Sequence, residues 1–320
     1  MRNAVLLALF LFGSSLCLGA EVYPAKPVRV IVPFAPGGTS DMTARAISQQ
    51  LSEQLGKSFV VENRTGASGS IGNALVAKSP PDGYTLMLMD ITTAQLPSLF
   101  KALPFDVARD FTPITQVIDA PNVLVIDPQL NFKTLREFAA FVQANPGKFN
   151  YGSAGVGTTN HLTVELFKKA ANVNIAHIPY KGAGDALTAV MGGQVQMLIV
   201  AMPTILPHVK SGKLRALAVT TDGKRSPSMP DVPSMSEAGV SGMALYSWFG
   251  LSGPGGMPQE IVNKLHAEVV KAIAVPSVKE RFLAQGAELV GNSPEEFSSH
   301  VRSEIRRWAE AIKLAGIVPE

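Results

Sequence analysis

Short apolar, β-branched runs alternate with stretches whose apolar residues recur every three or four positions along most of this chain. Val28–Val32, Phe59–Val61, Thr85–Met89, Val123–Ile126, Ile175–Ile178, Gln196–Val200 and Leu214–Val219 read as strands. Ala44, Ile47, Leu51 and Leu55 mark one face of a helix, Ser40 stands where an N-cap would, and Gly56 stands where the helix should stop. Strands alternating with helices predict an α/β protein. Ser293-Pro294-Glu295-Glu296 is a capping box with proline at the first helical position. Phe297, Val301, Ile305, Trp308 and Ile312 follow on one face, so the pattern predicts a docked amphipathic helix.

Two stretches look like crossings between domains: the extended, proline-bounded one from Pro113 to Pro128, and the one from Leu214 to Pro233. We expect a discontinuous first domain over residues 21–118 and 224–320, with a second inserted at 119–223. Two crossings make a hinge.

Residues 1–20 break the alternation. Met1-Arg2-Asn3 is a short positive start, Ala4 to Phe12 is uninterruptedly apolar, and small apolar residues run from Gly13 to Ala20. This is the pattern of a secretory signal peptide cut near Ala20-Glu21, and it predicts export to the periplasm. Cys17 is the only cysteine and would leave with the leader, so the exported protein would rely on core burial rather than disulfides. The chain has 320 residues, 46% of them hydrophobic, enough for such a core and for two domains. Its formal charge of +3 becomes +2 once Arg2 is removed, and no basic stripe suggests nucleic acid.

The candidate chemistry lies where strands empty into glycine and hydroxyl loops that open helices. Val30 to Asp41 and Phe149 to Asn160 share this design. Unpaired N–H groups at a helix start, with the positive end of its dipole, attract a carboxylate or phosphate. Phe34, Ala35, Gly37, Gly38, Thr39 and Ser40 are therefore candidate ligand contacts from one domain. Ser153, Gly155, Gly157, Thr158 and Thr159 are candidates from the other. Asp41 either stabilises its helix start or receives an amino group of the ligand. Ser68, in a second glycine and serine turn, and Thr92, after the third strand, are further candidates, as is Lys181, which has the charge to pair with a carboxylate. Trp248 and Phe249 read either as core or as one wall of a cleft.

Signatures of catalysis are missing. No Gly-x-Ser-x-Gly elbow surrounds Ser68, Ser153 or Ser252, no dinucleotide loop follows Gly155, and the five histidines lack metal-ligand spacing, so no cofactor or metal is expected. Three readings stay open: a solute receptor, a sensor that docks on a membrane signalling protein, and an exported hydrolase. The last would use Ser68 or Ser153 and needs a base within hydrogen-bond reach.

Pro33-Phe34-Ala35-Pro36-Gly37-Gly38, Val61-Glu62-Asn63-Arg64, Pro81-Asp82-Gly83-Tyr84-Thr85, His177-Ile178-Pro179-Tyr180-Lys181-Gly182, Gly192-Gly193-Gln194-Val195-Gln196, Leu214 to Val219 and Pro230-Asp231-Val232-Pro233 together resemble the Bug family. These are the extracytoplasmic solute receptors of tripartite tricarboxylate transporters. The resemblance implies a type II-like periplasmic binding protein fold: two lobes, each a mixed sheet flanked by helices, joined by two hinge crossings. It also implies a cleft that closes on a small carboxylate, a monomer, and delivery to a permease of one large and one small membrane subunit. The chain departs from the family pattern at Val200-Ala201, where relatives often carry Asp-Asn, and at Asp90-Ile91, where glycine and serine are common.

Overall fold

The computed structural model describes residues 23–221, 223–315 and 319; the leader expected over residues 1–20 lies outside them. In chain order the elements are β1 (Val28–Val32), α1 (Thr39–Leu55), β2 (Phe59–Asn63), α2 (Ser70–Ala77), β3 (Thr85–Asp90), α3 (Ile91–Gln95) and β4 (Phe111–Ile126). Then come α4 (Leu135–Ala144), β5 (Asn150–Ser153), α5 (Thr159–Ala171), β6 (Ala176–Pro179), α6 (Ala183–Met191), β7 (Met197–Ala201), α7 (Met202–Lys210) and β8 (Arg215–Val219). The chain ends with β9 (Tyr246–Pro254), α8 (Gln259–Ala274), α9 (Pro276–Ala284), β10 (Glu288–Leu289) and α10 (Pro294–Ala315).

Two mixed sheets form, as the family resemblance implies. In the first, β1 lies parallel to β2 and β3, while β9 runs antiparallel to both β3 and β4, and β10 adds to β4. In the second, β5 lies parallel to β6 and β7, while β7 and β8 flank β4 in antiparallel pairing. The strand β4 belongs to both: Phe111 to Pro121 pair with β9, and Asn122 to Ile126 pair with β7.

Side-chain alternation divides each strand between two cores. On β1, Val28, Val30 and Val32 pack with Leu86 and Leu88 against α1 and α8, whereas Ile31 joins Met87 and Met89 against Trp308 and Ile312 of α10. On β7, Met197 and Ile199 face one cluster while Leu198 and Val200 face another, and β4 divides Leu124 and Ile126 from Val123 and Val125 in the same way. Met235, Val240 and Met243 pack with Leu124, Ile199 and Leu217, and Met229 packs with Val123 and Val219, so the segment from 229 to 243 lies on the second sheet.

Local signals act as read at the helix ends, with one exception. The amide of Ser293 donates to Glu296 Oε2 and the amide of Glu296 to Ser293 Oγ, completing the capping box. Gly56 closes α1 in the left-handed conformation, with φ 66°. Ser40 is not the N-cap of α1, because the helix begins earlier with Gly38 as cap, and this frees the Ser40 hydroxyl for a partner on β3.

Where the two sheets meet, side chains rather than loops hold the backbone. The amide of Asn122 donates to Thr220 Oγ1 at 2.8 Å, its Nδ2 donates to the Leu245 carbonyl at 3.0 Å, and Ser247 Oγ donates to Asn122 Oδ1 at 2.8 Å. The Thr220 hydroxyl also donates to the Leu245 carbonyl.

Candidate functional site

A cavity lies between the two sheets, beyond the carboxyl ends of β1, β3, β5 and β7, where open α/β sheets hold their ligands. The volume open to the centres of water molecules is about 50 Å³, room for a few waters at ~10–15 Å³ each. From the first sheet's side come Phe34, Ala35, Gly38, Thr39 and Ser40 before and within α1, then Asp90, Ile91 and Thr92 after β3. From the second come Ala154, Thr159 and Asn160 at the start of α5, Ala183 at the start of α6, and Val200, Ala201 and Thr204 around the start of α7. Ser247 and Phe249 of β9 complete the wall beside the crossing strands.

The walls therefore carry the first turns of helices from both sheets. Each brings the positive end of its dipole and N–H groups that no intrahelical carbonyl satisfies, a field suited to an anion. Hydroxyls of Thr39, Ser40, Thr92, Thr159, Thr204 and Ser247 add donors and acceptors, and no lysine, arginine or histidine is among the described lining residues.

One lining residue ionises. Asp90 is 5% exposed and caps α3, accepting the Thr92 amide at 3.0 Å on one oxygen and the Ser40 hydroxyl at 2.9 Å on the other. Burial pushes its carboxyl up to about 6, against the opposing pull of the bonds from Ser40, Thr92 and Thr93.

Hydrogen bonds join the walls directly. The Thr39 amide donates to Thr204 Oγ1 at 3.1 Å and the two threonine hydroxyls lie 2.8 Å apart. Thr92 and Thr159 hydroxyls approach to 3.2 Å, and Thr159 Oγ1 donates to Gln95 Oε1 at 3.2 Å. At the rim the Ala35 amide donates to the Lys181 carbonyl at 3.3 Å, and the Ser68 hydroxyl donates to the Val156 carbonyl. The two halves are shut on each other.

Of the residues singled out in the sequence, Phe34, Ala35, Gly38, Thr39, Ser40, Thr92 and Thr159 line the cavity. The others stand around it. Gly37 donates its amide to Asp41, whose carboxylate also takes Asn63 Nδ2 at 3.0 Å and Arg45 at 2.9 Å. Burial pulls the Asp41 pKa up, but these three donors outweigh it and hold the carboxyl below its usual value. Asp41 thus belongs to the helix start. Gly155 and Gly157 leave space for the opposite wall: a Cβ on Gly155 would lie 3.2 Å from Ser68 Oγ, and one on Gly157 would lie 2.7 Å from Leu99 Cδ1. The Thr158 hydroxyl donates to the Gly155 carbonyl, and the Lys181 side chain is exposed at the rim.

Ser153 does have a histidine within reach: its Oγ lies 2.6 Å from His177 Nε2. It is also 0% exposed, bonds to the amide and carbonyl of Gly155, and lies outside the cavity lining. The His177 ring stacks on both Tyr151 and His161, at 4.8 and 4.3 Å, and burial, followed by the neighbouring His161, pushes its pKa down to about 4. A neutral imidazole in a stack of rings holds the loop in place.

Sequence reasoning missed Thr204 and Ser247, which sit in no local motif, and stopped short of Asn160 and Ala183, which belong to glycine loops it had found but were not picked from them. Phe249 proves to be wall, while Trp248 is core, its indole donating to Glu304 Oε2 at 3.2 Å.

Three comparisons bear on this arrangement. The sequence model of the family described as the tripartite tricarboxylate transporter family receptor matches residues 43–317. Protein BugT of Bordetella pertussis strain Tohama I is 38% identical over 307 residues, covering 95% of this chain and 94% of BugT. Among solved structures, the periplasmic binding protein BugD superimposes with a TM-score of 0.89 at 36% identity, covering 93% of this chain and 100% of that one. The R. palustris protein Rpa4515, solved with adipate, superimposes with a TM-score of 0.89 at 37% identity and the same coverage. The expected two-lobed periplasmic binding protein fold is the one these neighbours share.

Proposed function

The chain belongs to the tripartite tricarboxylate transporter receptor family, and from that premise we propose that it is a periplasmic receptor that captures a small carboxylate and presents it to a membrane permease. The observation that carries this reading is the convergence of helix starts from two sheets on one cavity lined by hydroxyls. A carboxylate placed there would be held by main-chain and hydroxyl donors, interactions unavailable when the halves are apart, and only such differential contacts favour closure. Adipate in a relative 37% identical supports the ligand class. The burial of Ser153, and the position of both Ser153 and His177 outside the cavity lining, support a binding role over a hydrolytic one. Among the described residues no helix is long and apolar enough to cross a membrane, which accords with delivery to a separate permease.

We further place the lobe crossings at Asp119 to Asn122 on β4 and at Leu245 to Ser247, with the segment from 229 to 243 riding on the second lobe. Its packing on that sheet supports the placement. The site is then Phe34 to Ser40, Asp90 and Thr92 from one lobe, and Thr159, Asn160, Ala183 and Thr204 from the other.

A thermal-shift screen against mono-, di- and tricarboxylates and amino acids tests the reading, since a ligand that binds only the native state raises the melting temperature by linkage. A concentration-dependent rise with at least one acid is expected, and a flat response across the panel overturns it. Slower uptake of that acid by a strain lacking the gene tests the delivery step.

A further inference from the structure

The charge within the cavity restricts the ligand further, given the receptor reading above. The lobe that contributes α1 and α3 also contributes Asp90, whose carboxylate is held by neutral donors from Ser40, Thr92 and Thr93. Ser40 stands in the first turn of α1, so the positive end of that helix already serves an acid of the protein itself. The opposite wall carries the starts of α5, α6 and α7, where no acidic side chain lines the cavity. One side of a small space is therefore anionic and the other attracts anions. An acid carrying only carboxylates would set like charge against Asp90 in a poorly solvated site with no basic side chain to compensate.

We propose that Asp90 makes this cavity select a zwitterion: a small acid whose carboxylate rests on the helix starts of the second lobe and whose ammonium group donates to Asp90. The arrangement satisfies both partners, because a buried carboxylate gains a cation and the ligand's cation gains an acceptor. The groups facing Asp90 from α1, α3 and β9 are Ser40, Thr92, Thr93 and Phe249, none of which titrates. Asp41, the next residue of α1, is engaged with Arg45 and Asn63. The competing chemistry is an Asp90 that keeps a proton and donates it to a plain carboxylate.

Matched probes separate the two: β-alanine with propionate, γ-aminobutyrate with butyrate, and L-aspartate with succinate, each titrated calorimetrically into the full mature chain. In at least one pair the amino member is expected to bind about tenfold or more tightly than its partner at about pH 7.5. Asp90→Asn is expected to cut that preference at least about tenfold and to tighten binding of the partner. Asp90→Ser, which keeps a helix-capping oxygen, serves as the second variant. Acidifying the wild type to about pH 5 should reproduce the loss, and this readout remains if neither variant folds. Tighter binding of the plain acids by the wild type, or an amino preference that survives both variants and acidification, overturns the proposal. If the wild type binds acids from the wider screen without preferring an amino member, the zwitterion assignment falls and the receptor reading stands. If it binds none of them, both fall.

Discussion

Thr39 of α1 and Thr204 of α7 meet hydroxyl to hydroxyl at 2.8 Å, and the Thr39 amide donates to the same Thr204 oxygen at 3.1 Å. These bonds span the cavity and exist only while its walls are together. Thr204→Val keeps the shape and removes the shared oxygen. Losing the pair should weaken binding of a screened acid by about 1–2 kcal/mol, roughly 5- to 30-fold in Kd. The unliganded melting temperature should stay near wild type, because water replaces the bonds once the lobes part. Calorimetry and thermal unfolding read the two quantities, and unchanged affinity would mean that this contact does not hold the closed form.

Gly184 gives a sharper separation of folding from closure. It lies in the first turn of α6, and a Cβ there would come 2.5 Å from the Pro36 carbonyl oxygen across the cleft. Gly184→Ala should favour its own helix by up to about 1 kcal/mol while preventing the rim from meeting. The expected variant melts at or above the wild-type temperature, binds no acid from the screen, and shows no ligand-induced compaction by small-angle scattering. Full affinity in that variant would sink the closure mechanism.

Asp119 sits opposite Glu288 in the β4 and β10 pairing. Burial first, then Glu288 and Glu304, push its carboxyl up to about 6. A folded-state pKa above the unfolded value means that the native form takes up the proton first, so this group's contribution to stability rises as pH falls from about 6 to 4 and is unfavourable above that window. Asp119→Asn retains the oxygen that accepts Gln116 Nε2 and should raise unfolding stability at about pH 7.5 by about 1–3 kcal/mol, with little change near pH 4. Urea denaturation at both pH values checks this, and a pH dependence equal to wild type contradicts it.

Glu304 anchors the final helix. One of its oxygens accepts both Trp248 Nε1 at 3.2 Å and Trp308 Nε1 at 3.3 Å, and Arg307 pairs with the carboxylate at 2.9 Å. Glu304→Ala would strand two buried indole donors, at a cost of about 2–4 kcal/mol. A fall of roughly 3–6 °C in the melting temperature is expected by calorimetry. Glu304→Gln, which keeps an oxygen in place, should lose about half of that.

Elements that bury their own residues in a simple period were legible in the sequence. The alternation of β1 and β3 and the capping box before α10 needed no information from elsewhere in the chain. β9 and the first part of β4, before Val123, were not read as strands for a physical reason: Pro113 and Pro121 interrupt the first part of β4, and Gly250 and Gly253 interrupt β9. Those glycines are required by neighbours distant in sequence, since a Cβ on Gly250 would meet the Phe297 ring at 2.3 Å and one on Gly253 would meet Met257 Sδ at 2.1 Å. At the site, Phe34 to Ser40, Thr92 and Thr159 were visible because each follows a strand within a glycine or hydroxyl turn. Thr204 and Ser247 reach the cavity only through the placement of one lobe on the other, which no local spacing encodes. Gly155 and Gly157 were picked out as ligand contacts, and it took the fold to show that Ser68 and Leu99 fill the space they leave.

Because β4 passes unbroken from one sheet into the other, the two lobes are not joined by a slack tether. Parting them must wind or unwind a hydrogen-bonded ribbon clamped by Asn122, Thr220 and Ser247, so the strand behaves as a torsion bar with a preferred set. The tightness of ligand capture then depends partly on how far that bar rests from its shut position. Substitutions along it, well away from any bound molecule, become a dial for residence time.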